Sequence, residues 1–386
     1  MKSTKKINNT KITLTIVATL FLLAGCGGSD VPPPATVANA SKIENLGKQL
    51  YFDENLSEPI GISCASCHEP GSGFASPDHA IPVSRGSVSD RFGSRNAPTA
   101  AYTKYVPEFH FDTNKQSYVG GLFLDGSAKN LVEQAKGPLL NPLEMALPDK
   151  QAVIEKVKVA EYAPLFKETF GDNALDNTED AFNNIAKAIA AFGSTSAFNR
   201  FNSKYDYFLK DEAQLKPKES RGLALFTGKA KCSNCHTMDN TVATDNGNSP
   251  LFTDFTYDNI GVPANSNNPF YSIGSEFNPA GPDFIDLGLG KHLNKSEENG
   301  KFRVPTLRNV AVSSPYMHNG VFASLRDVIS FYNSIGTSSE PTPEVAQNVN
   351  RSELANLNLS TSEMDDLEAF LETLTDNYKT TGKDQK

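Results

Sequence analysis

Two short runs of the chain, Cys64–His68 and Cys232–His236, have residue types and spacing that can do chemistry, and both read Cys-x-x-Cys-His. This pattern attaches haem covalently, because the two thiols add to the vinyl groups and the adjoining histidine binds the iron. A zinc site made from all four thiols is the alternative, but structural zinc pairs usually lie within tens of residues of each other. The sequence therefore predicts two haem c groups, one held by Cys64, Cys67 and His68 and one held by Cys232, Cys235 and His236.

The composition limits what else the chain can be. Its 386 residues include five Cys and no Trp, and 38% hydrophobic with 21% charged residues is the balance of a soluble globular protein. The formal net charge of −9 argues against nucleic acid as a partner and permits attraction of a basic protein. Because four of the five Cys belong to the two motifs, we expect no disulfide framework.

The N-terminus has the pattern of an export signal. Lysines precede an apolar run that is too short to span a membrane and that ends in the residues Leu23–Cys26. We expect a lipoprotein signal peptide over residues 1–25, acylation of Cys26 and a flexible tether over residues 26–42. A plain signal peptide with an incidental Cys is the alternative. The expected location is the periplasm, with a lipid anchor as the sole membrane contact, and Gly27 favours the outer membrane.

The remaining pattern indicates the elements that must position the two motifs. Amphipathic helices over residues 43–52 and 220–226 precede them, and Thr178 caps a third helix between the motifs. Ser360 or Ser362 caps a closing helix, which we expect to pack against the opening one. Strand signals are scarce, so the predicted fold is mostly α, with two cytochrome c-like haem domains, long loops and few short strands. The expected divisions are an N-terminal haem domain over residues 43–205, a C-terminal haem domain over 206–378 and a disordered tail over 379–386.

Several further blocks give the chain a family resemblance. They are Arg95–Thr99, Leu131–Ala135, Asn141–Met145, Val304–Asn309 and Pro315–Gly320. With the haem motifs, these blocks resemble the bacterial di-haem cytochrome c peroxidase and MauG family, in the same order and over nearly the whole mature chain. The resemblance implies an oxidoreductase that acts on peroxide.

The resemblance also implies roles for individual residues. The first haem would be the peroxide site, where Glu144 acts as acid and base and Gln134 orients the bound peroxide. Pro138 matches the apolar residue over the open face of that haem. The second haem would then supply or store the other oxidising equivalent, since peroxide removes two electrons.

A calcium ion is implied by the family alone. Asn96 would bind it through the side-chain oxygen, and Ser313 and Pro315 through their main-chain carbonyl oxygens. Waters would complete the all-oxygen shell that calcium prefers.

Two departures from the family pattern concern the iron ligands. Arg85 stands about where classical members place a histidine that blocks the first haem, so we expect that haem to be open. His79 is the nearby alternative ligand, although a surface loop position is the simpler interpretation. At the second haem the outer ligand position falls on Tyr332, as in the MauG branch, whereas classical members have Met. Met317 and His318 are rival ligands, and Tyr332 as an ordinary core residue is the other alternative.

The third departure concerns the path between the haems. Relatives hold a Trp there within a Phe-Trp-Asp-Gly block, which in this chain reads Phe123–Gly126, with Leu124 in the Trp position. A leucine cannot be oxidised, so this side chain cannot relay electrons, and a nearby Tyr or Phe is the alternative relay.

Three functions follow from these expectations. The leading one is a di-haem peroxidase that reduces hydrogen peroxide with electrons from a small donor protein. The second is a MauG-like enzyme that uses peroxide to oxidise a residue of a partner protein. The third is an electron-transfer or haem-sensing lipoprotein without turnover, against which the Gln134 and Glu144 pair argues. A homodimer is one option for its assembly.

Overall fold

The computed structural model describes residues 41–244 and 247–380. The predicted signal peptide, Cys26, most of the predicted tether and most of the predicted tail lie outside these residues. Within them the chain is mostly helical with few short strands, so the predicted fold class is confirmed. No helix in this part of the chain is both long enough and apolar enough to cross a membrane.

Helices carry most of the regular structure. Short 3₁₀ turns and long loops connect them. The helices are α1 (Lys42–Phe52), α2 (Cys64–Cys67), α3 (Leu131–Leu140), α4 (Lys150–Val159), α5 (Ala163–Phe170), α6 (Thr178–Gly193), α7 (Lys204–Leu209), α8 (Pro217–Thr227), α9 (Leu289–Leu293), α10 (Leu325–Ser334) and α11 (Thr361–Glu372).

The strands form antiparallel pairs of two and build no larger sheet among the described residues. In the last pair Tyr257 lies opposite Arg303, which brings two distant loops together. The pairs are β1 (His110–Asp112) with β2 (Ser117–Val119), β3 (Thr241–Thr244) with β4 (Gly247–Pro250), and β5 (Tyr257–Asp258) with β6 (Phe302–Arg303).

Capping residues explain where these helices begin. Ser41 opens α1 and Ser360 opens α11, each in a reciprocal capping box with a glutamate three residues later. The cap of α6 is Asn177, whose side chain accepts from the Asp180 amide at 3.0 Å. The predicted cap Thr178 was wrong by one residue, because Thr178 is already the first helical residue.

The same helix pairing occurs twice, and each pair meets at a glycine. Helix α1 crosses α6 at Gly47, where an added Cβ would lie 1.8 Å from the Ala188 carbonyl oxygen. Helix α8 crosses α11 at Gly222, where an added Cβ would lie 1.9 Å from the Asp366 carbonyl oxygen. The closing helix α11 therefore packs against α8, the helix that opens the second pair, as expected. Only glycine, which has no side chain, permits such a close approach at each crossing.

Two hydrophobic cores surround these helix pairs. The first is built mainly from residues 46–201, with Leu251 and Phe255 added from later in the chain. The second is built from residues 205–374. Each fully buried Phe or Leu contributes about 1.5–3 kcal/mol relative to exposure, so burial of this kind holds each helix pair together.

Buried and half-buried ion pairs join distant segments of the chain. The Arg308 guanidinium donates from both Nη atoms to the Asp206 carboxylate, each at 2.9 Å. Arg95 donates to Asp125 at 2.7 Å and to Asp286 at 2.6 Å. Removing one partner of such a pair would leave an uncompensated buried charge, which is strongly destabilising.

Gly222→Ala tests the helix crossing. Because the new methyl group would collide with the Asp366 backbone, we expect the free energy of unfolding to fall by about 1–3 kcal/mol. Urea denaturation of the holoprotein measures this. Gly193→Ala is the matched control, since an added Cβ there meets nothing within 4 Å. A Gly222→Ala variant as stable as the Gly193→Ala variant would contradict the close crossing.

Candidate functional site

The first cysteine pair lies on one turn of helix, α2, which packs against the first core. Neither thiol forms a disulfide. Burial raises the pKa of Cys64 to about 12 and that of Cys67 to about 11, so both thiols are protonated at neutral pH. A helical turn places residues i and i+3 on one face, which is the arrangement that two thioether bonds to one haem require.

His68 follows the pair, and a main-chain carbonyl fixes its ring. Its Nδ1 lies 3.2 Å from the carbonyl oxygen of Phe74. Because a carbonyl oxygen can only accept, Nδ1 carries the proton in the neutral ring and the lone pair is on Nε2. The backbone of Pro98 makes a further hydrogen bond to the ring. Burial lowers the pKa of His68, which also favours the neutral ring that binds iron.

The second motif repeats this arrangement. Cys232–Asn234 forms a 3₁₀ turn, and His236 Nδ1 lies 3.1 Å from the carbonyl oxygen of Phe252. Burial lowers the pKa of His236 and raises the pKa of both second-motif thiols to about 12.

The two acceptor residues share an uncommon backbone conformation. Phe74 has φ +60° and Phe252 has φ +53°, both left-handed and therefore strained for a residue with a side chain. Strain of this kind costs about 1–3 kcal/mol and concentrates at functional sites. Both sites therefore present two thiols and one neutral imidazole with Nε2 available, which is the donor set that a haem c needs.

The alternative of a four-cysteine zinc site has no geometric basis. Among residues 41–244 and 247–380, the cluster of potential metal-binding side chains is Cys235 with Asp258 and Glu353. The thiols of the first motif do not join it. Each cysteine pair therefore serves its own site.

Glu144 lies near the first pair. Burial raises its pKa, and an opposing hydrogen bond from Asn141 Nδ2 reaches Oε1 at 2.7 Å. The Glu144 carboxylate raises the pKa of the Cys64 and Cys67 thiols, after the larger effect of burial. This places an ionisable carboxyl group beside the first haem-attachment site, where the sequence predicts it.

Gln134 and Pro138 lie four residues apart on α3 and therefore share one face of that helix. Pro138 has no N–H to donate to the Gln134 carbonyl, which weakens the helix at this turn. The chain then turns back through Asn141, whose backbone and side chain both bind the turn that carries Glu144. Helix α3 and the turn that follows it thus carry all three predicted residues, Gln134, Pro138 and Glu144.

The loop that contains Arg85 also binds the backbone of the turn that carries Glu144. Ser87 donates its amide to the Glu144 carbonyl oxygen at 2.7 Å, and Gly86 lies so close that an added Cβ would be 2.4 Å from the Leu143 carbonyl oxygen. The Arg85 side chain is exposed and stacks on Phe92.

His79 contacts a segment far from it in the chain. It is exposed, and its Nδ1 lies 2.7 Å from the Ser314 carbonyl oxygen. Arg85 and His79, the two residues considered at the blocking position, are thus both exposed.

Tyr332 lies beside the second cysteine pair. It is on α10, and its pKa is raised by burial and then by the charges of Cys232, Cys235 and Asp258. The rival His318 is engaged elsewhere, because its Nε2 lies 3.0 Å from a Glu344 oxygen and its ring stacks on Phe302. The structure therefore brings Tyr332, rather than His318, to the second site.

A small cavity lies between the two histidines, and Leu124 lines it. The backbone of Pro98 is next to His68 and that of Pro305 is next to His236, and both prolines line the same cavity. The aromatic side chains that line it are Tyr102 and Phe255. Leu124, the residue at the predicted Trp position, thus shares a cavity with these two rings, which are the candidate substitutes.

Two of the three predicted calcium ligands come together. The side-chain amide of Asn96 lies 2.5 Å from the Pro315 carbonyl oxygen and is buried. Because the oxygen and nitrogen of an amide can be exchanged by a flip, Asn96 can direct its oxygen to the same point. Ser313, the third predicted ligand, lies two residues before Pro315 in the chain, and all three predicted donors are oxygens of the kind that calcium binds.

Sequence reasoning missed the residues that orient the predicted ligands. Phe74 lies six residues after His68, but Phe252 lies sixteen after His236, so no common spacing marks them. Asn141 was within a recognised block but had no assigned role. Arg303, buried at the cavity, gave no signal beyond its position before Val304.

The duplication of the haem site predicts that one site can be lost alone. In a Cys232→Ala, Cys235→Ala variant, covalent haem should fall from two groups per chain to one, as measured by the pyridine haemochrome assay on denatured protein. Cys26→Ala is the control and should keep both. Two covalent haems in the doubly substituted chain would contradict the assignment.

Comparison with known proteins agrees with this geometry. Residues 41–214 match the family model for di-haem cytochrome c peroxidase. The chain is 39% identical to the methylamine utilization protein MauG of Paracoccus denitrificans, over 92% of this chain and 93% of that protein. It is 31% identical to the cytochrome-c peroxidase IdrP2 of a Pseudomonas species, over 96% of this chain and 92% of that protein.

A solved structure extends the likeness to the fold. The diheme peroxidase BthA from Burkholderia thailandensis matches with a TM-score of 0.76 and 34% identity, over 88% of this chain and 87% of that chain. Since these likenesses span nearly the whole chain, the protein belongs to the di-haem cytochrome c peroxidase family and is a peroxidase-type oxidoreductase with two haem c groups.

Proposed function

We propose that the protein reduces hydrogen peroxide to water at the haem held by Cys64, Cys67 and His68. Two electrons from a small donor protein arrive through the haem of the second motif, and two protons complete the conversion of one peroxide to two waters. The observation that carries this proposal is the half-buried Glu144 carboxyl group, with a raised pKa, beside the first cysteine pair.

When bound, haem iron supplies the site of O–O cleavage and stores oxidising equivalents. The protein supplies the proton transfers. Glu144 takes a proton from one peroxide oxygen and returns it to the other, so that the departing oxygen leaves as water. The Asn141 bond holds Oε1 of Glu144 and leaves Oε2 for this exchange. Gln134 orients the bound peroxide, and Pro138 supplies an apolar wall.

We propose that this first site is open in the oxidised protein. The exposed positions of Arg85 and His79 support this, because the recorded contacts of these side chains are with Phe92 and Ser314. Peroxide could then bind without a prior reduction step that releases a blocking ligand.

We propose that Tyr332 is the outer ligand of the second haem. Its place beside Cys232 and Cys235 supports this assignment. A phenolate stabilises ferric iron, so the second haem should have a lower potential than a His/Met haem. For Met317, the other rival, the structure records a backbone bond to Gly320 and no bond that brings it to the second site.

A MauG-like oxidation of a partner protein is the second candidate function. The 39% identity to a MauG protein and the position of Tyr332 favour it. Leu124 weighs against both enzyme functions in their usual form, because a leucine side chain cannot be oxidised and so cannot relay electrons between the haems. A carrier without turnover has no use for Glu144 and Gln134, so we rank it last.

Location and calcium complete the proposal. The export pattern before Cys26 supports a periplasmic, lipid-anchored protein, with the outer membrane favoured by Gly27. The convergence of Asn96 and Pro315 supports one calcium ion held with Ser313.

Glu144→Gln tests the proposal. The amide cannot shuttle protons, so we expect peroxide consumption to fall about 100-fold or more while haem content stays unchanged. The assay follows oxidation of a reduced cytochrome donor after peroxide addition, with two donor electrons per peroxide expected for the wild type. Glu133→Gln on the exposed side of α3 is the matched control and should keep wild-type rates.

The pH dependence adds a second readout. Because burial raises the pKa of Glu144, its carboxylate should be lost on acidification at a higher pH than an ordinary glutamate. The wild-type rate should fall through that range, and the Glu144→Gln variant should lack this step. Unchanged kinetics in the variant would sink the acid–base role, and peroxide consumption without donor oxidation would favour partner modification.

A further inference from the structure

Arg303 is a buried cation without a counter-ion. Only 8% of its surface is exposed, and its Nε has no hydrogen-bond partner among residues 41–244 and 247–380. The same residues offer it no ion pair. By contrast, Arg308 is paired with Asp206, and Arg95 with Asp125 and Asp286. Arg303 is therefore the exception among the arginines near the junction of the two cores.

This arrangement is energetically unfavourable for the polypeptide by itself. A guanidinium remains charged in proteins, and an unpaired buried charge is strongly destabilising. The Phe255 ring lies 5.8 Å from the Arg303 Cζ, and cation–π attraction at that distance offsets a small part of the cost. A buried cation at this place therefore calls for an anion that the polypeptide does not supply.

The position of Arg303 identifies the source of that anion. Arg303 lines the cavity shared with Leu124, and its backbone amide donates to the Leu124 carbonyl oxygen at 2.8 Å. Pro98 and Pro305, beside the two haem-binding histidines, line the same cavity. Each haem c brings two propionate carboxylates into the protein, and a guanidinium binds a carboxylate with two parallel hydrogen bonds.

We propose that Arg303 binds a haem propionate at the junction between the two haem sites and raises the reduction potential of that haem. The physical reason is that a nearby positive charge stabilises the reduced iron, which carries one positive charge fewer than the oxidised iron. Arg303 is thus a positioning residue. The inference rests on the two haems and is independent of the proposed peroxide reaction.

Spectroelectrochemical titration of the full-length holoprotein tests this. In Arg303→Gln we expect the midpoint potential of one haem to shift downward, with both haems still attached and peroxide turnover measured separately. Arg303→Lys keeps the charge and should shift that potential less. Arg351→Gln removes one positive charge from an exposed side chain that pairs with Glu340 and should leave both potentials unchanged.

Each outcome decides the proposal. Unchanged potentials of both haems in Arg303→Gln would overturn it. A free anion is the competing occupant, so wild-type titrations are repeated with increasing inorganic phosphate. Potentials that depend on phosphate in the wild type but not in Arg303→Gln would also overturn it. If Arg303→Gln does not fold, the propionate bending bands of Arg303→Lys in resonance Raman spectra must shift, and unshifted bands would refute the contact.

Discussion

The bond from each motif histidine to a main-chain carbonyl is the interaction on which the rest of the structure depends. His68 and His236 both give their Nδ1 proton to a Phe carbonyl oxygen, which leaves Nε2 for iron. Both acceptors have a strained left-handed backbone, and the surrounding rings hold them in place. Phe74 stacks on Phe198 with ring centroids 3.9 Å apart, and Phe252 packs edge-on against Tyr205. The aromatic cores thus fix the ring orientation that iron ligation requires.

The two attachment sites are built alike. A difference in function between the two haems would therefore come from the residues on the side of each haem that faces away from its histidine. The first site has Glu144, held by Asn141 and by the loop with Arg85. The second has Tyr332 on α10, with the carboxylate of Asp258 near it. Under the proposed function, the first site would transfer protons and the second would hold ferric iron. Leu124, the unpaired Arg303 and the rings of Tyr102 and Phe255 line one cavity between the two sites, where the proposed Arg303 contact would act on a haem through its charge.

Much of this was predictable from the sequence because covalent haem attachment leaves a contiguous signature. The helices before each motif and the closing helix follow from apolar periodicity and capping residues such as Ser360. Glu144, Gln134 and Tyr332 were accessible through their surrounding blocks and the family likeness alone. The carbonyl acceptors Phe74 and Phe252 were not, because a main-chain group has no residue identity. The sequence also could not show that the Arg303 guanidinium lacks an ion-pair partner, because that depends on how the chain packs.

The central claim is that the protein holds two inequivalent haems, the first open and the second closed by Tyr332. Low-temperature electron paramagnetic resonance of the untreated, fully oxidised protein tests it most directly. The account predicts one high-spin ferric signal from the first haem and one low-spin ferric signal from the second, and Tyr332→Phe should abolish the low-spin signal. Two low-spin signals in the wild-type protein would contradict it.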